Sequence, residues 1–155
     1  MIAPTRRKLI LIAAGGSAFM MLGALAFQHI GGMAPCKLCI WQRWPHVIAI
    51  AIGLVALAWP RAILILTGAV AALTTAGIGF YHTGVERSWW EGPTSCTSSG
   101  SSGMSADDLF DQIMAAHLVR CDEVPWEMFG LSMASWNGVV SLGLAMIWMM
   151  ALRQN

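Results

Sequence analysis

The fold class this sequence predicts is an all-α membrane protein, a four-transmembrane-helix bundle with two loops on one side of the bilayer. Three observations carry that reading. The 155 residues are 57% hydrophobic and only 11% charged, where an ordinary soluble domain is about a quarter charged; so few charges cannot clothe a soluble surface. The apolar residues gather in four runs that approach bilayer-crossing length. All eight acidic residues (Glu86, Glu91, Asp107, Asp108, Asp111, Asp122, Glu123, Glu127) fall between positions 86 and 127, leaving the rest of the chain free of carboxylate side chains.

The first run, Leu9 to Ile30, carries no charge and follows Arg6, Arg7 and Lys8. Basic residues before an apolar run also describe a signal peptide, but this run is longer than a usual signal core. A lipoprotein would need a small residue before Cys36, where Pro35 stands. A retained span is therefore expected. The second run, Val47 to Trp59, is by itself short of the about 20 residues that cross the hydrocarbon. It spans if the helix begins near Ile40, giving 40–59. Arg43 then lies in the first turn, where its long side chain can snorkel to the headgroups, and Cys39 occupies the N-cap region. The third run, Ala62 to Tyr81, and the fourth, Leu131 to Leu152, are each long enough to cross unaided. In lipid such runs must be helical, because unpaired backbone groups are too costly there.

The short flanks at Arg6–Lys8, Arg61 and Arg153 are purely basic, which places them and both termini on the cytoplasmic side. The loops at about 31–43 and 82–130 then share the outer side, and the whole chain forms one integral membrane domain. A net charge of +1 gives no sign of nucleic-acid binding. Within the second loop, Cys96 to Met104 is a Ser/Gly tract with linker character. Ser105 followed by Asp107 and Asp108 then reads as a helix start. Leu109, Phe110, Ile113, Met114 and His117 recur at helical spacing, predicting a short amphipathic helix, either on the membrane surface or packed on the loop itself.

Four cysteines, Cys36, Cys39, Cys96 and Cys121, all fall in the outer loops. Outside a bacterial inner membrane the setting is oxidising, and pairing Cys36 with Cys39 and Cys96 with Cys121 is the most local of three possibilities. Cys96–Cys121 reads first as a staple, closing about 26 residues for roughly 3 kcal/mol. Cys36–Cys39 makes a poor staple, because a two-residue gap closes almost no loop. What Cys-x-x-C supplies is a low thiolate pKa and a tunable potential. A zinc site would need completion from Cys96 and Cys121, in a compartment that oxidises thiols, and haem attachment needs His where Ile40 stands. A helix N-terminus at Cys39 and the fixed charge of Arg43 both favour a thiolate, although Arg43, Trp41 and Trp44 also suit simple interfacial anchoring. A thiolate at the lipid boundary calls for an electron acceptor in the lipid, and a quinone fits. Arg43 could stabilise charge on its ring oxygens, and His82 could offer a hydrogen bond or a proton, unless His82 is only an interfacial polar residue.

Cys36 to Arg43, C-K-L-C-I-W-Q-R, together with Tyr81-His82-Thr83 and the stretch Trp126 to Met133, resembles the disulfide-bond-formation protein B (DsbB) family. The resemblance covers nearly the whole chain, the Ser/Gly tract excepted. It implies a bacterial inner-membrane oxidoreductase with two periplasmic loops, which reoxidises a periplasmic DsbA-like thiol oxidase and passes the electrons to ubiquinone or menaquinone. By that resemblance Cys96 takes the mixed disulfide, Cys121 resolves it and reduces Cys36, and Cys39 faces the quinone with Arg43; His82 contacts the quinone. A vitamin K epoxide reductase-like protein would carry its Cys-x-x-C on a late span instead. A claudin-like scaffold would keep its cysteine pair within the first loop.

Overall fold

The computed structural model describes residues 4–93 and 120–154. Four helices account for most of them: α1 (Pro4–His29), α2 (Lys37–Ala58), α3 (Ala62–Glu86) and α4 (Met133–Arg153). All four are long and apolar enough to cross a membrane. α1 packs on α2 and α4, while α3 packs on α2 and, most extensively, on α4. The helices therefore follow one another round the bundle in chain order, closing between α4 and α1. The start of α1, the 59–61 turn and the end of α4 share one end of the bundle. The start of α2, the end of α3 and the start of α4 share the other, the thiol end.

Large apolar side chains point outward along every helix, among them Leu11, Phe19, Leu22, Leu54, Val70 and Met146, as lipid-facing surfaces require. The interior of the terminal end is built from small residues, Ala13, Ala14, Ala56, Ala69, Ala72, Ala145 and Ala151, around the buried indole of Trp148. Small residues let membrane helices approach closely, which is how they associate without a hydrophobic drive between them. α3 and α4 meet backbone to backbone: a Cβ on Gly79 would lie 2.9 Å from the Gly138 amide nitrogen and 3.0 Å from the Ala134 carbonyl.

Helix boundaries differ from the apolar counts for local reasons. α2 begins at Lys37 rather than Ile40, because Cys36 is its N-cap: the Sγ accepts the Cys39 N–H at 3.1 Å. Cys39 is thus the third residue of the helix, not its cap. α3 continues past Tyr81 to Glu86, since Thr83 and Glu86 find partners on the start of α4: Thr83 Oγ1 lies 3.0 Å from Ser135 Oγ, and Ser132 Oγ donates to Glu86. Leu131 and Ser132 are not yet helical. They form strand β2, antiparallel to β1 (Glu127–Met128), across a two-residue turn in which Phe129 and Gly130 have φ of 55° and 74°, the geometry of a tight hairpin. Ser132 then caps α4 by accepting the Ser135 N–H at 3.2 Å. Pro45 lies within α2, and in the turn before it Thr75 of α3 donates its hydroxyl to the Gln42 carbonyl at 2.9 Å. The Ser/Gly tract after Cys96 and the expected helix from Ser105 lie outside the described residues.

Candidate active site

The cap of α2 is the centre of the site. Because Cys36 occupies the N-cap, its sulfur lies at the helix end, beside Cys121 of the second loop. Cys39, Arg43 and His46 follow at roughly one-turn intervals along one side of α2 and line a single cavity. Cys36 and Cys121 are buried and Cys39 half-buried; all three are free thiols. The Cys36 and Cys121 sulfurs and His82 Nε2 lie within 4.8 Å of one another, and Cys36 Sγ is 3.7 Å from His82 Nε2. The structure thus brings a cysteine of each outer loop together, with the Cys36–Cys39 pair on one side and Cys121 on the other. The hydrogen bond with the Cys39 side chain and burial push the Cys36 thiol well above the ordinary thiol range, against the lowering effect of the Cys39 N–H. The same three groups could hold a soft metal, a set different from the Cys-x-x-C zinc site considered from sequence, but His82 Nε2 is already engaged with the Cys121 carbonyl at 3.1 Å.

His82 is not a surface residue. It is 3% exposed, held by the Cys121 carbonyl at one nitrogen and by Gln42 Nε2, 2.9 Å from Nδ1, at the other. Glu86, one turn on, brings a carboxylate oxygen to 3.9 Å from His82 Nε2. Arg43 does not reach for headgroups. It turns toward α1, donating to Gln28 Oε1 at 2.6 Å and to the Ala24 carbonyl at 3.4 Å, so its charge is fixed at the cavity wall.

The cavity has a volume of about 350 Å³. Phe19, Met20, Phe27 and Met33 supply apolar wall, Cys36 and Cys39 one polar corner, and Arg43, His46 and His82 further polar groups. Trp126 from the second loop closes it, its ring 5.4 Å from that of Phe27. Arg120 and Glu123 sit at the rim. Arg120 pairs with Asp122 in two contacts, of 3.0 and 2.5 Å, which holds the Asp122 carboxyl below its usual range.

Of the residues singled out from sequence, Cys36, Cys39, Arg43, His82 and Cys121 converge at the thiol end. Cys96 lies outside the described residues. Gln28, Gln42, His46, Glu86 and Asn137 were not singled out. Asn137 was open to notice, because an amide inside the apolar run 131–152 is unusual and interior polar groups in a span mark function.

A membrane-length bundle that brings a buried dithiol, a third cysteine and an apolar cavity together at one end defines a membrane-embedded thiol oxidoreductase. The chain belongs to the DsbB family: the family model described as disulfide bond formation protein DsbB matches residues 6–151. It is similar to disulfide bond formation protein B of Stutzerimonas stutzeri, 32% identical over 95% of this chain and 96% of the relative. The same-named proteins of Albidiferax ferrireducens (33%, over 82% and 81%) and of a Polaromonas species (28%, over 94% and 89%) are similarly related. No solved structure matches the chain.

Proposed function

We propose that this oxidoreductase sits in the bacterial inner membrane with both termini cytoplasmic, takes electrons from a periplasmic DsbA-like thiol oxidase through Cys96 and Cys121, and delivers them through Cys36 and Cys39 to ubiquinone or menaquinone. The observation that carries the reading is the position of Cys36: its sulfur is adjacent to Cys121 of the other loop and to Cys39, which lines the cavity. Each transfer is an exchange in which a thiolate attacks a disulfide sulfur and releases the other as a thiolate. Cys121 attacks the Cys36–Cys39 disulfide at Cys36, so the bond formed is Cys36–Cys121 and the sulfur released is Cys39, at the cavity wall. Cys96, once released by the partner's second thiol, attacks that bond at Cys121, restoring Cys96–Cys121 and freeing Cys36 as a thiolate. Re-forming the Cys36–Cys39 disulfide from the dithiol then yields two electrons and two protons, the number a quinone takes up on becoming a hydroquinone.

The cavity fits a quinone headgroup. It is largely apolar, as ligand pockets are, and a bound quinone would supply the terminal two-electron acceptor. Arg43 would hold an oxygen by its fixed charge. His82, with Glu86 behind it, would orient Cys36 through its Nε2. The basic flanks at Arg6–Lys8, Arg61 and Arg153 support the orientation.

The test is oxidation of a reduced thioredoxin-fold partner by the purified protein with added quinone, each cysteine replaced in turn. Cys39→Ser is expected to abolish quinone reduction and Arg43→Ala to weaken it. Quinone turnover at the wild-type rate in Cys39→Ser would overturn the assignment.

A further inference from the structure

A chain of buried hydrogen bonds runs from the thiols into the bundle, and its direction can be read from one end. The Cys121 carbonyl can only accept, so the His82 Nε2 facing it at 3.1 Å carries the proton. Nδ1 of the neutral ring is then an acceptor, and Gln42 must turn its Nε2 amide toward it, at 2.9 Å. That leaves Gln42 Oε1 to accept from Asn137 Nδ2 at 2.7 Å, while the same Nδ2 reaches Thr75 Oγ1 at 3.1 Å. Asn137 Oδ1 therefore accepts from His46 Nε2 at 2.9 Å. Every amide and both imidazoles are fixed by one backbone carbonyl.

The far end of this chain is left open. His46 is 3% exposed and lines the cavity, and its Nδ1 is buried without a hydrogen-bond partner among the described residues. With the proton held on Nε2, Nδ1 is a bare lone pair. A buried acceptor with no donor is costly, and such a group in a cavity wall points to a ligand that supplies the donor.

We infer that His46 Nδ1 is an acceptor for a hydroxyl of the reduced quinone, so that the cavity prefers hydroquinone to quinone. This rests on the quinone reading of the site. A quinone carbonyl has lone pairs only and gains nothing from Nδ1, whereas a hydroquinone hydroxyl donates to it. Arg43, which only donates, accepts either form. The consequence is a driving force: a tenfold preference for hydroquinone raises the potential of the bound couple by about 30 mV for two electrons, which favours withdrawal of electrons from thiols. Asn137 is the positioning residue, because its Oδ1 holds the His46 proton on Nε2 and leaves Nδ1 bare. Ser141 Oγ stands farther from His46 Nε2 than Asn137 does, at 3.5 Å, and spends its proton on Asn137 Oδ1 at 3.4 Å.

The test uses the full chain in detergent, carrying Cys39→Ser so that no turnover occurs. A short-chain ubiquinone and its hydroquinone are titrated separately, read by quenching of Trp126 and Trp136, which line the cavity. The expected result is about tenfold tighter binding of the hydroquinone. His46→Leu should weaken hydroquinone binding five- to tenfold and leave quinone binding within twofold, erasing the preference. Equal affinities before substitution, or equal losses for both forms in His46→Leu, would overturn the inference. In that outcome binding of both forms, weakened by Arg43→Ala, would leave the quinone reading standing; failure of both forms to bind would remove both readings. A measurement that needs no His46 variant is the ¹⁵N spectrum of the His46 ring. Nδ1 should show as the unprotonated nitrogen and shift with hydroquinone but not with quinone. A protonated Nδ1, or identical shifts with both, refutes the assignment.

Discussion

Replacing Gln42 with leucine tests the buried chain as a structural unit. Gln42 is 6% exposed and its side chain makes two bonds, 2.9 Å to His82 Nδ1 and 2.7 Å from Asn137 Nδ2. Leucine is close in volume, so packing changes little and the loss is polar. Asn137 is not orphaned, because its Nδ2 keeps Thr75 Oγ1 and its Oδ1 keeps His46. His82 keeps the Cys121 carbonyl at Nε2, but its Nδ1 is left buried without a donor. Two interhelical bonds at the membrane average of about 0.6 kcal/mol lose roughly 1.2 kcal/mol; one orphaned acceptor adds about 1–3 kcal/mol. The expected destabilisation is therefore about 2–4 kcal/mol, measured by tryptophan fluorescence during unfolding in mixed detergent micelles. Because Gln42 and Asn137 share one bond, the Gln42→Leu/Asn137→Leu double variant should lose less than the sum of the singles, by about 0.5–1 kcal/mol. A Gln42→Leu protein as stable as wild type to within about 0.5 kcal/mol, the range of an ordinary surface substitution, would refute the chain, as would strictly additive singles.

Three further outcomes follow from the geometry. In membranes, Cys39→Ala should accumulate a Cys36–Cys121 disulfide, visible as a non-reducing crosslink between fragments cut within residues 82–120; absence of that crosslink contradicts the sulfur proximity. Gly79→Val should cost about 1–3 kcal/mol by overpacking α3 against α4, whereas Gly77→Val, where a Cβ meets nothing within 4 Å, should cost far less; equal losses would show that the close approach is not real. In the reduced protein the Cys36 thiol is held above its ordinary range, first by the hydrogen bond with the Cys39 side chain. Its reaction with a small alkylating reagent should therefore lag until alkaline pH, and begin at lower pH in Cys39→Ala. The sign for stability is also fixed: the raised folded-state value stabilises the reduced fold below the unfolded thiol's pKa, and that relative advantage turns into a cost as pH climbs from the unfolded toward the folded value.

The bundle was legible because each span must satisfy its own backbone in lipid, and an uninterrupted apolar run states that requirement directly. The ends were less legible, because counting apolar residues stops at the first polar one while a helix does not. Thr83 and Glu86 extend α3 since Ser135 and Ser132 await them on α4, a pairing between distant parts of the chain that no local pattern announces. The same holds for Arg43. Its type and spacing from Cys39 were plain in the sequence, but its partner Gln28 sits on a different helix. The pairing of His46 and Asn137 was obscured for a further reason: His46 stands just ahead of the second apolar run and Asn137 within the fourth, and their meaning comes only from meeting each other, 91 positions apart.

The two-residue spacer in Cys36-Lys-Leu-Cys39 accounts for how one dithiol can serve two media. At a helix cap the first sulfur is outside the helix and the second is inside it, so three positions of chain place them on different surfaces while keeping them within reach of each other. Cys36 Sγ accepts the Cys39 N–H, and that bond holds the first sulfur back over the helix end, beside Cys121 and His82. Cys39 is committed to the face that continues through Arg43 and His46 down the cavity. A residue added between the two thiols would leave Cys39 in line with Arg43 and rotate the cap by about 100° round α2, carrying Cys36 away from Cys121. An alanine inserted between Leu38 and Cys39 is thus expected to abolish the Cys36–Cys121 crosslink while leaving Cys39 and Arg43 on the cavity wall, able to bind quinone. Loss of quinone binding together with the crosslink would show instead that the two sulfurs depend on a single local fold.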